Sequence, residues 1–484
     1  MSRSSARWST SWTTSARTGR NSVLAAFPLL RHPCPDSVVA YRGGIPVSAR
    51  QFLADVRRVA ATLPESEHVL NVCADRYRFT VGFAACLLRR KVSLLPSTHT
   101  PEVIRQLTVF APDVFCLTDD VRCPIDLPRV IYRENEAPYQ AIQDADVPHG
   151  QARDWPPPEI EHAQVAALVF TSGSTGAPLP YRKTWGRLVN CVRFESERLG
   201  LNDRPCSIVG TVPPQHMYGF ESTVLLALQG GHALSAGRPF YPVDICSELE
   251  AVPRPRMLVS TPVHLRALLA ADLRLPSTDL VLSATAPLSQ NLAREVEQRW
   301  ETQLLEIYGS TETGQIASRR TSETVEWQLF REVRLTAQID GMWAQGGHVE
   351  QPTAMCDVLE RTAEDRFLLH GRLSDLVNIA GKRSSLSYLN HQLNAIPGVV
   401  DGVFFIREED EKALSDVTRV AAVVVAPGLK AAALIKELRR RIDPVFLPRP
   451  LLFVDHLPRN ATGKLPQETL HALVAAALKR TASR

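Results

Sequence analysis

The residues best suited to chemistry lie in Leu168-Val169-Phe170-Thr171-Ser172-Gly173-Ser174-Thr175-Gly176-Ala177-Pro178, an apolar run that ends in glycines and hydroxyls. Glycines let backbone N–H groups turn inward around an anion, and Ser and Thr add hydroxyl donors. Gripping a triphosphate requires this chemistry. The segment is not a Walker A loop, because no Gly-Lys-Ser/Thr follows. An ordinary Ser/Gly turn is the plainer alternative. Nine cysteines are scattered with no CxxC pair and no histidine cluster beside them. That excludes a structural zinc site and a disulfide framework, and it points to reduced, buried thiols in a cytoplasmic protein. A GxGxxG fingerprint is also missing, so oxidoreductase and nuclease readings have no motif behind them.

The elements that must position such a loop follow from the hydrophobic pattern. His68–Cys73, Val92–Leu95, Val114–Thr118, Val165–Phe170, Met257–Ser260, Leu280–Ser283 and Leu304–Tyr308 read as strands. Tyr77–Arg90, Lys183–Leu199, Pro262–Ala270 and Ser289–Arg299 have helical spacing. Strands alternating with helices predict an α/β fold with largely parallel sheets. Beyond a break near Gly371–Asp375, strands at Val400–Ile406, Arg419–Val425 and Leu451–Val454 and a helix at Leu429–Ile442 predict a small α+β lid domain. The expected division is a tail over 1–22, a large domain over 23–372 and the lid over 373–484. The tail has Arg, Ser and Thr but no acid, like a transit peptide; disorder is the preferred reading. With 484 residues, two or three domains are expected. Lysines and arginines exceed acids by 55 − 51 = 4, too few to make nucleic acid the expected partner. No apolar run approaches the ~18 residues of a membrane span.

The loop at 171–176 with Pro178 resembles the T-S-G-S-T-G-x-P-K-G signature of the adenylate-forming superfamily, which includes acyl-CoA synthetases, peptide-synthetase adenylation domains and luciferases. Leu179 and Pro180 stand where that signature has Lys and Gly. Losing one charge-stabilising donor can cost ~2.7–4 kcal/mol, so Arg182 and Lys183 are candidates to compensate. Tyr308-Gly309-Ser310-Thr311-Glu312 resembles the family's Y-G-x-T-E motif. The resemblance implies that Tyr308 stacks on adenine, Thr311 donates to the α-phosphate and Glu312 holds Mg²⁺. Thr285, Ala286 and Pro287 resemble the segment lining the adenine pocket. Asp357, fourteen positions before Gly371, matches the family aspartate that accepts from both ribose hydroxyls, although only the Asp of that T-G-D triplet is present. Gly371-Arg372-Leu373-Ser374-Asp375 resembles the hinge motif; Arg372 would approach ribose and phosphate, or else make a surface salt bridge. Pro458-Arg459-Asn460-Ala461-Thr462-Gly463-Lys464 resembles the C-terminal P-x-x-x-x-G-K motif, so Lys464 is the main candidate to neutralise charge as the acid attacks phosphorus.

Five motifs in this order imply an ATP-dependent acid–thiol ligase. A carboxylic acid and ATP would give an acyl-adenylate and pyrophosphate, and a thiol would then take the acyl group. His216, Tyr218, Gly219 and Phe220 resemble the segment that shapes the acid pocket, with His216 also among the candidate catalytic residues. Tyr218 and Phe220 offer flat apolar surface for an aromatic acid, or are simply core. The Lys-less loop, Asn378 and the short length resemble ligases of aryl polyene and xanthomonadin-type pigment clusters, which load a hydroxybenzoate or hydroxycinnamate onto an acyl carrier protein. Lys436 with Arg439-Arg440-Arg441, and Arg89-Arg90-Lys91, would suit an acidic carrier or be solvated faces. Coenzyme A as acceptor, a ligase that stops at the adenylate, and a non-catalytic adenylate-binding protein are the alternatives.

Overall fold

The computed structural model describes residues 25–96, 98–134, 155–172, 178–202, 204–339, 341–372, 376–379, 382–406, 419–460 and 465–482. Short β-branched and aliphatic runs separated by helices build two stacked sheets. One has six strands, in the order Pro178–Thr184, Val165–Ser172, Val92–Leu95, His68–Asn71, Phe115–Thr118 and Arg129–Ile131. Its neighbours are parallel except the first two, which form an antiparallel hairpin. The other sheet has eleven strands. Six of them, Val38–Arg42, Ala233–Ser235, Ser207–Gly210, Arg256–Ser260, Leu280–Ser283 and Gln303–Ser310, are parallel. Beyond Gln303–Ser310 the sheet turns antiparallel through Gly314–Arg319, Trp327–Leu329, Arg366–Arg372 and Asp357–Arg361.

The fold is therefore the expected mixed α/β arrangement, but the antiparallel extension departs from the largely parallel expectation. Its strands are short, and Asp357–Arg361 leaves Glu360 and Arg361 exposed. A one-sided edge of that kind gives too few apolar positions for a strand pattern to stand out. The helix expected over Lys183–Leu199 begins at Trp185, because Lys183 and Thr184 still belong to the strand. The Thr184 hydroxyl, a natural helix cap, instead donates with its own N–H to Glu350 Oε1, at 2.5 and 2.6 Å.

The helix Arg76–Leu88 lies between the two sheets, in contact with His68–Asn71 and Val92–Leu95 on one side and Ala233–Ser235 on the other. It is therefore buried nearly all round, which explains its weakly amphipathic sequence. After residue 376 the chain builds cores of its own. Val420–Val425 is buried at all six positions. One face packs with Leu389, Leu393, Leu434 and Leu438, the other with Leu470 and Val474. A strand covered on both faces needs the continuous Val/Ala run seen here. All nine cysteines are unbridged, with Cys34 and Cys356 exposed. Among the described residues no helix is long and apolar enough to cross a membrane.

Candidate active site

The strand Val165–Ser172 carries the chain to the Gly/Ser/Thr loop, and Pro178–Thr184 returns antiparallel, with Pro178 opposite Ser172 and Leu179 opposite Thr171. Thr171 and Ser172 are placed as the end of the first strand. Gly173, Ser174, Thr175 and Gly176 lie outside the described residues, as do Ser374, Gly381 and Lys464. Leu179, at the position of the signature lysine, is 50% exposed. The two candidates to compensate for that ammonium point in opposite directions. Arg182 pairs with Leu168, about 13 Å back along the strand from Ser172, and its guanidinium reaches the Ala163 carbonyl. Lys183 points the other way, as strand alternation demands, and is only 4% exposed. Its Nζ donates to the backbone carbonyl of Glu312 at 2.9 Å.

Thr311 and Glu312 form the tip of a turn between Gln303–Ser310 and Gly314–Arg319, and both are half-buried. The turn is tied at its base. Thr313 N–H donates to Ser310 Oγ at 3.2 Å, Ser310 N–H donates to Thr313 Oγ1 at 3.3 Å, and Thr313 Oγ1 donates to the Gly314 carbonyl at 2.8 Å. Tyr308, 8% exposed, packs against Trp327 and Phe367 with ring centroids 5.4 and 5.6 Å apart. Its Oη donates to Asp357 Oδ2 at 2.5 Å. Asp357 is directly opposite Arg372 in its strand pair. Three residues expected at the nucleotide, far apart in sequence, thus meet at one end of the sheet. Stacking on adenine would use only the small part of the Tyr308 ring left exposed.

The adenine-pocket candidates sit on the neighbouring turn. Thr285 and Ala286 are half-buried and Pro287 is exposed. Thr285 has φ of 77°, a left-handed conformation that costs a β-branched residue ~1–3 kcal/mol. Glu306, buried in the adjacent strand, holds the far end of the turn by accepting from Leu288 N at 3.0 Å, while Arg319 and Thr321 satisfy its other oxygen at 2.8 and 2.7 Å. Small residues and a fixed strained turn suit close approach by a flat ligand.

The acid-pocket candidates divide. His216 is half-buried where a short helix begins, ahead of a π-helical turn over Phe220–Leu225. Phe220 is fully enclosed, 4.8 Å from Phe83 and 6.3 Å from Phe79 between ring centroids. Tyr218 is buried with its Oη donating to the Leu282 carbonyl at 3.0 Å. Both rings are packed within the main hydrophobic core. A Cβ on Gly219 would lie 2.1 Å from the Pro213 carbonyl oxygen, so its place is set by backbone packing.

Arg76, which sequence reasoning passed over, organises this segment. It is wholly buried and donates to the carbonyls of Gly210 and Val212, at 2.6 and 3.1 Å, and to Thr223 Oγ1 at 2.7 Å. Burial lowers its pKa to about 10, so it stays charged at neutral pH. The only available signal was an arginine in the first turn of a largely apolar helix, a signal it shares with Arg78.

A buried polar cluster lies under the Thr311–Glu312 turn. Glu195 Oε1 accepts from Ser222 Oγ at 2.6 Å, and Gln315 Nε2 donates to the same Oγ at 2.7 Å. Glu221 accepts from the Cys191 thiol at 3.4 Å. Burial, with Glu221 nearby, pushes the Glu195 carboxyl up to about 8 against the help of Ser222. The folded chain then keeps a proton that the unfolded chain releases above about 4.5. Stability from this group is full below that pH and is lost as pH rises toward 8. Glu195→Gln, which mimics the protonated form, removes that slope. Its melting temperature is expected to gain on wild type by ~2 °C or more between pH 5 and pH 8, given ~1.4 kcal/mol per pKa unit. An unchanged difference across that range would show that Glu195 is ionised when buried.

No group of three or more Cys, His, Asp or Glu among the described residues could hold a metal by itself. Glu312, half-buried on its turn, suits a magnesium ion that takes its other oxygens from phosphates and water.

Residues 31–343, more than half the chain, match the family described as AMP-binding enzyme. A 4-coumarate–CoA ligase of Rhodobacter capsulatus is 29% identical over 308 residues, covering 62% of this chain and 75% of the relative. A 4-chlorobenzoate–CoA ligase of Pseudomonas sp. (strain CBS-3) is 26% identical over 384 residues, covering 69% and 70%. Among solved structures, ATP-bound MatB from Rhodopseudomonas palustris superposes with a TM-score of 0.75 over 92% of this chain and 97% of that one, at 18% identity.

Proposed function

We propose, from the premise that this chain belongs to the AMP-binding enzyme family, that it activates an aromatic carboxylic acid with ATP and passes the acyl group to a thiol. As an enzyme it is an acid–thiol ligase of the adenylate-forming kind. The observation that best supports the nucleotide site is the hydrogen bond from Tyr308 to Asp357, which unites two motif residues opposite Arg372. The names of the coumarate and chlorobenzoate ligases support an aryl acid.

In the first half-reaction a carboxylate oxygen attacks the α-phosphorus and pyrophosphate leaves. No protein nucleophile takes part, so positioning and charge neutralisation carry the rate. The amides at 171–176 and Thr311 would hold phosphate oxygens, Asp357 and Arg372 the ribose, and Lys464 the developing charge between acid and α-phosphate. Mg²⁺ at Glu312 would add positive charge beside the phosphates. In the second half-reaction the thiol sulfur attacks the acyl carbon and AMP leaves. His216 stays a candidate wall of the acid site, and the lid would bring the region of Gly381 toward the thiol step.

For the acceptor, the relatives' names favour coenzyme A. A carrier protein is supported by the basic run at Lys436 and Arg439–Arg441, of which Lys436, Arg439 and Arg440 are exposed. Arg440 is already paired with Glu437 at 2.8 Å, which weakens that face. A screen of benzoates, cinnamates and fatty acids, with coenzyme A or a carrier protein bearing a free prosthetic thiol as acceptor, tests the reading. Pyrophosphate exchange into ATP that depends on an aryl acid is expected. The apolar Leu179 at the signature-lysine position favours the non-catalytic alternative, and a folded, ATP-binding chain with no exchange for any acid would establish it.

A further inference from the structure

The lysine missing from the phosphate loop is matched by an unusual one inside the protein. Lys183 lies five residues past Pro178 on the strand leaving that loop, with its side chain between the two sheets rather than in solvent. Burying an ammonium is costly unless it is well partnered, and an apolar residue would pack this position without that cost. The partner is informative. Nζ donates to the carbonyl oxygen of Glu312, the residue expected to hold the metal beside the phosphates. Glu350, which caps Thr184 next door, and Glu221, under Gly314, supply negative charge around it.

We infer that Lys183 is a positioning residue for the reaction: its ammonium fixes the Glu312 peptide so that the Thr311–Glu312 tip keeps one orientation toward the metal and the phosphates. The inference rests on the adenylation reading of this site. The Ser310–Thr313 bonds close the base of the turn. They leave the 312 carbonyl at its tip, and Lys183 takes that carbonyl from below. The same contact joins the strand after the phosphate loop to the Thr311–Glu312 turn, so one brace links the two stretches of chain. Leu179 provides no ammonium at the loop, and Lys183 acts through Glu312 rather than by touching pyrophosphate.

The test uses full-length wild type, Lys183→Met, Lys183→Arg, Glu312→Gln and the double variant Lys183→Met/Glu312→Gln, read by acid-dependent pyrophosphate exchange over a range of Mg²⁺ concentrations. Lys183→Met is expected to lower the exchange rate and raise the Mg²⁺ concentration for half-maximal rate, each by roughly 10-fold or more, as for other residues that orient a metal ligand. The KM for the acid should stay within ~2-fold, and Lys183→Arg should recover part of the loss, since it keeps a charged donor. The double variant should be little worse than Glu312→Gln alone, because the lysine works through that residue. Additive losses, or an unchanged Mg²⁺ dependence in a folded Lys183→Met, would overturn the inference and leave the adenylation reading standing. Absence of exchange in wild type would sink the reading itself. If Lys183→Met does not fold, Lys183→Gln, which keeps a donor, is measured in both backgrounds under the same criteria. Failure of every variant at 183 to fold would overturn the inference in favour of a purely structural lysine.

Discussion

Lys464→Ala is expected to slow acyl-adenylate formation by ~10²–10³-fold while leaving thioester formation from added acyl-adenylate nearly intact. In the first half-reaction an anionic acid approaches an anionic phosphate, and an ammonium between them offsets charge that builds in the transition state. In the second half-reaction a thiol attacks a carbonyl and needs no such group. The described chain ahead of position 464 is anchored at Arg459. Arg459 makes two bonds to Asp401, at 2.7 and 2.8 Å, which pin the segment to the strand Asp401–Ile406 five residues before the lysine. Rapid-quench measurement of each half-reaction checks this. Equal losses in both would place Lys464 in the fold rather than in the chemistry, and no loss in either would remove it from the mechanism.

Gly309→Ala is expected to cut adenylation by at least ~100-fold, as for loss of a main transition-state contact, in a protein that still folds. The strand register shifts between Tyr308 and Gly309, so the backbone closes tightly on itself there. A Cβ at 309 would lie 2.3 Å from the Gly314 carbonyl oxygen and 2.7 Å from Gln315 Cα. Both are backbone atoms and cannot rotate away. The hairpin would have to open, and Thr311 and Glu312 at its tip would move with it. Displacements of about 1 Å can cost 10²-fold in rate. Exchange kinetics with circular dichroism and a melting curve make the comparison. Retained activity would mean that the turn tolerates a wider hairpin than its present contacts allow.

The boundaries of individual elements were largely legible. Val92–Leu95, Leu280–Ser283 and Pro262–Ala270 lie where the pattern placed them, because each is a short apolar run or an amphipathic turn whose period is local. The antiparallel strands between 314 and 372 were not: Gly314–Arg319 buries polar Gln315 and Ser318, Asp357–Arg361 exposes Glu360 and Arg361, and neither shows a clear apolar alternation. Phe220, near a candidate histidine, reads equally as pocket wall or as core until the layer above it is known. Arg76, just ahead of the helix expected from Tyr77, drew no reading, and only the packing of the second sheet shows it buried.

What the residues alone carried was the resemblance: a Gly/Ser/Thr loop at 171–176, Tyr308, Thr311 and Glu312 in one motif, Asp357 fourteen positions before Gly371, and Lys464 after a late glycine, all in the family's order. Their side-chain types and separations are properties of the chain itself. Tertiary structure decided which side chains reach that chemistry. Arg182 and Lys183 are adjacent and alike in charge, yet strand alternation sends one toward Ala163 and the other beneath Glu312. Which of them lies inside depends on which face the second sheet covers, and that is settled only when distant strands pack together.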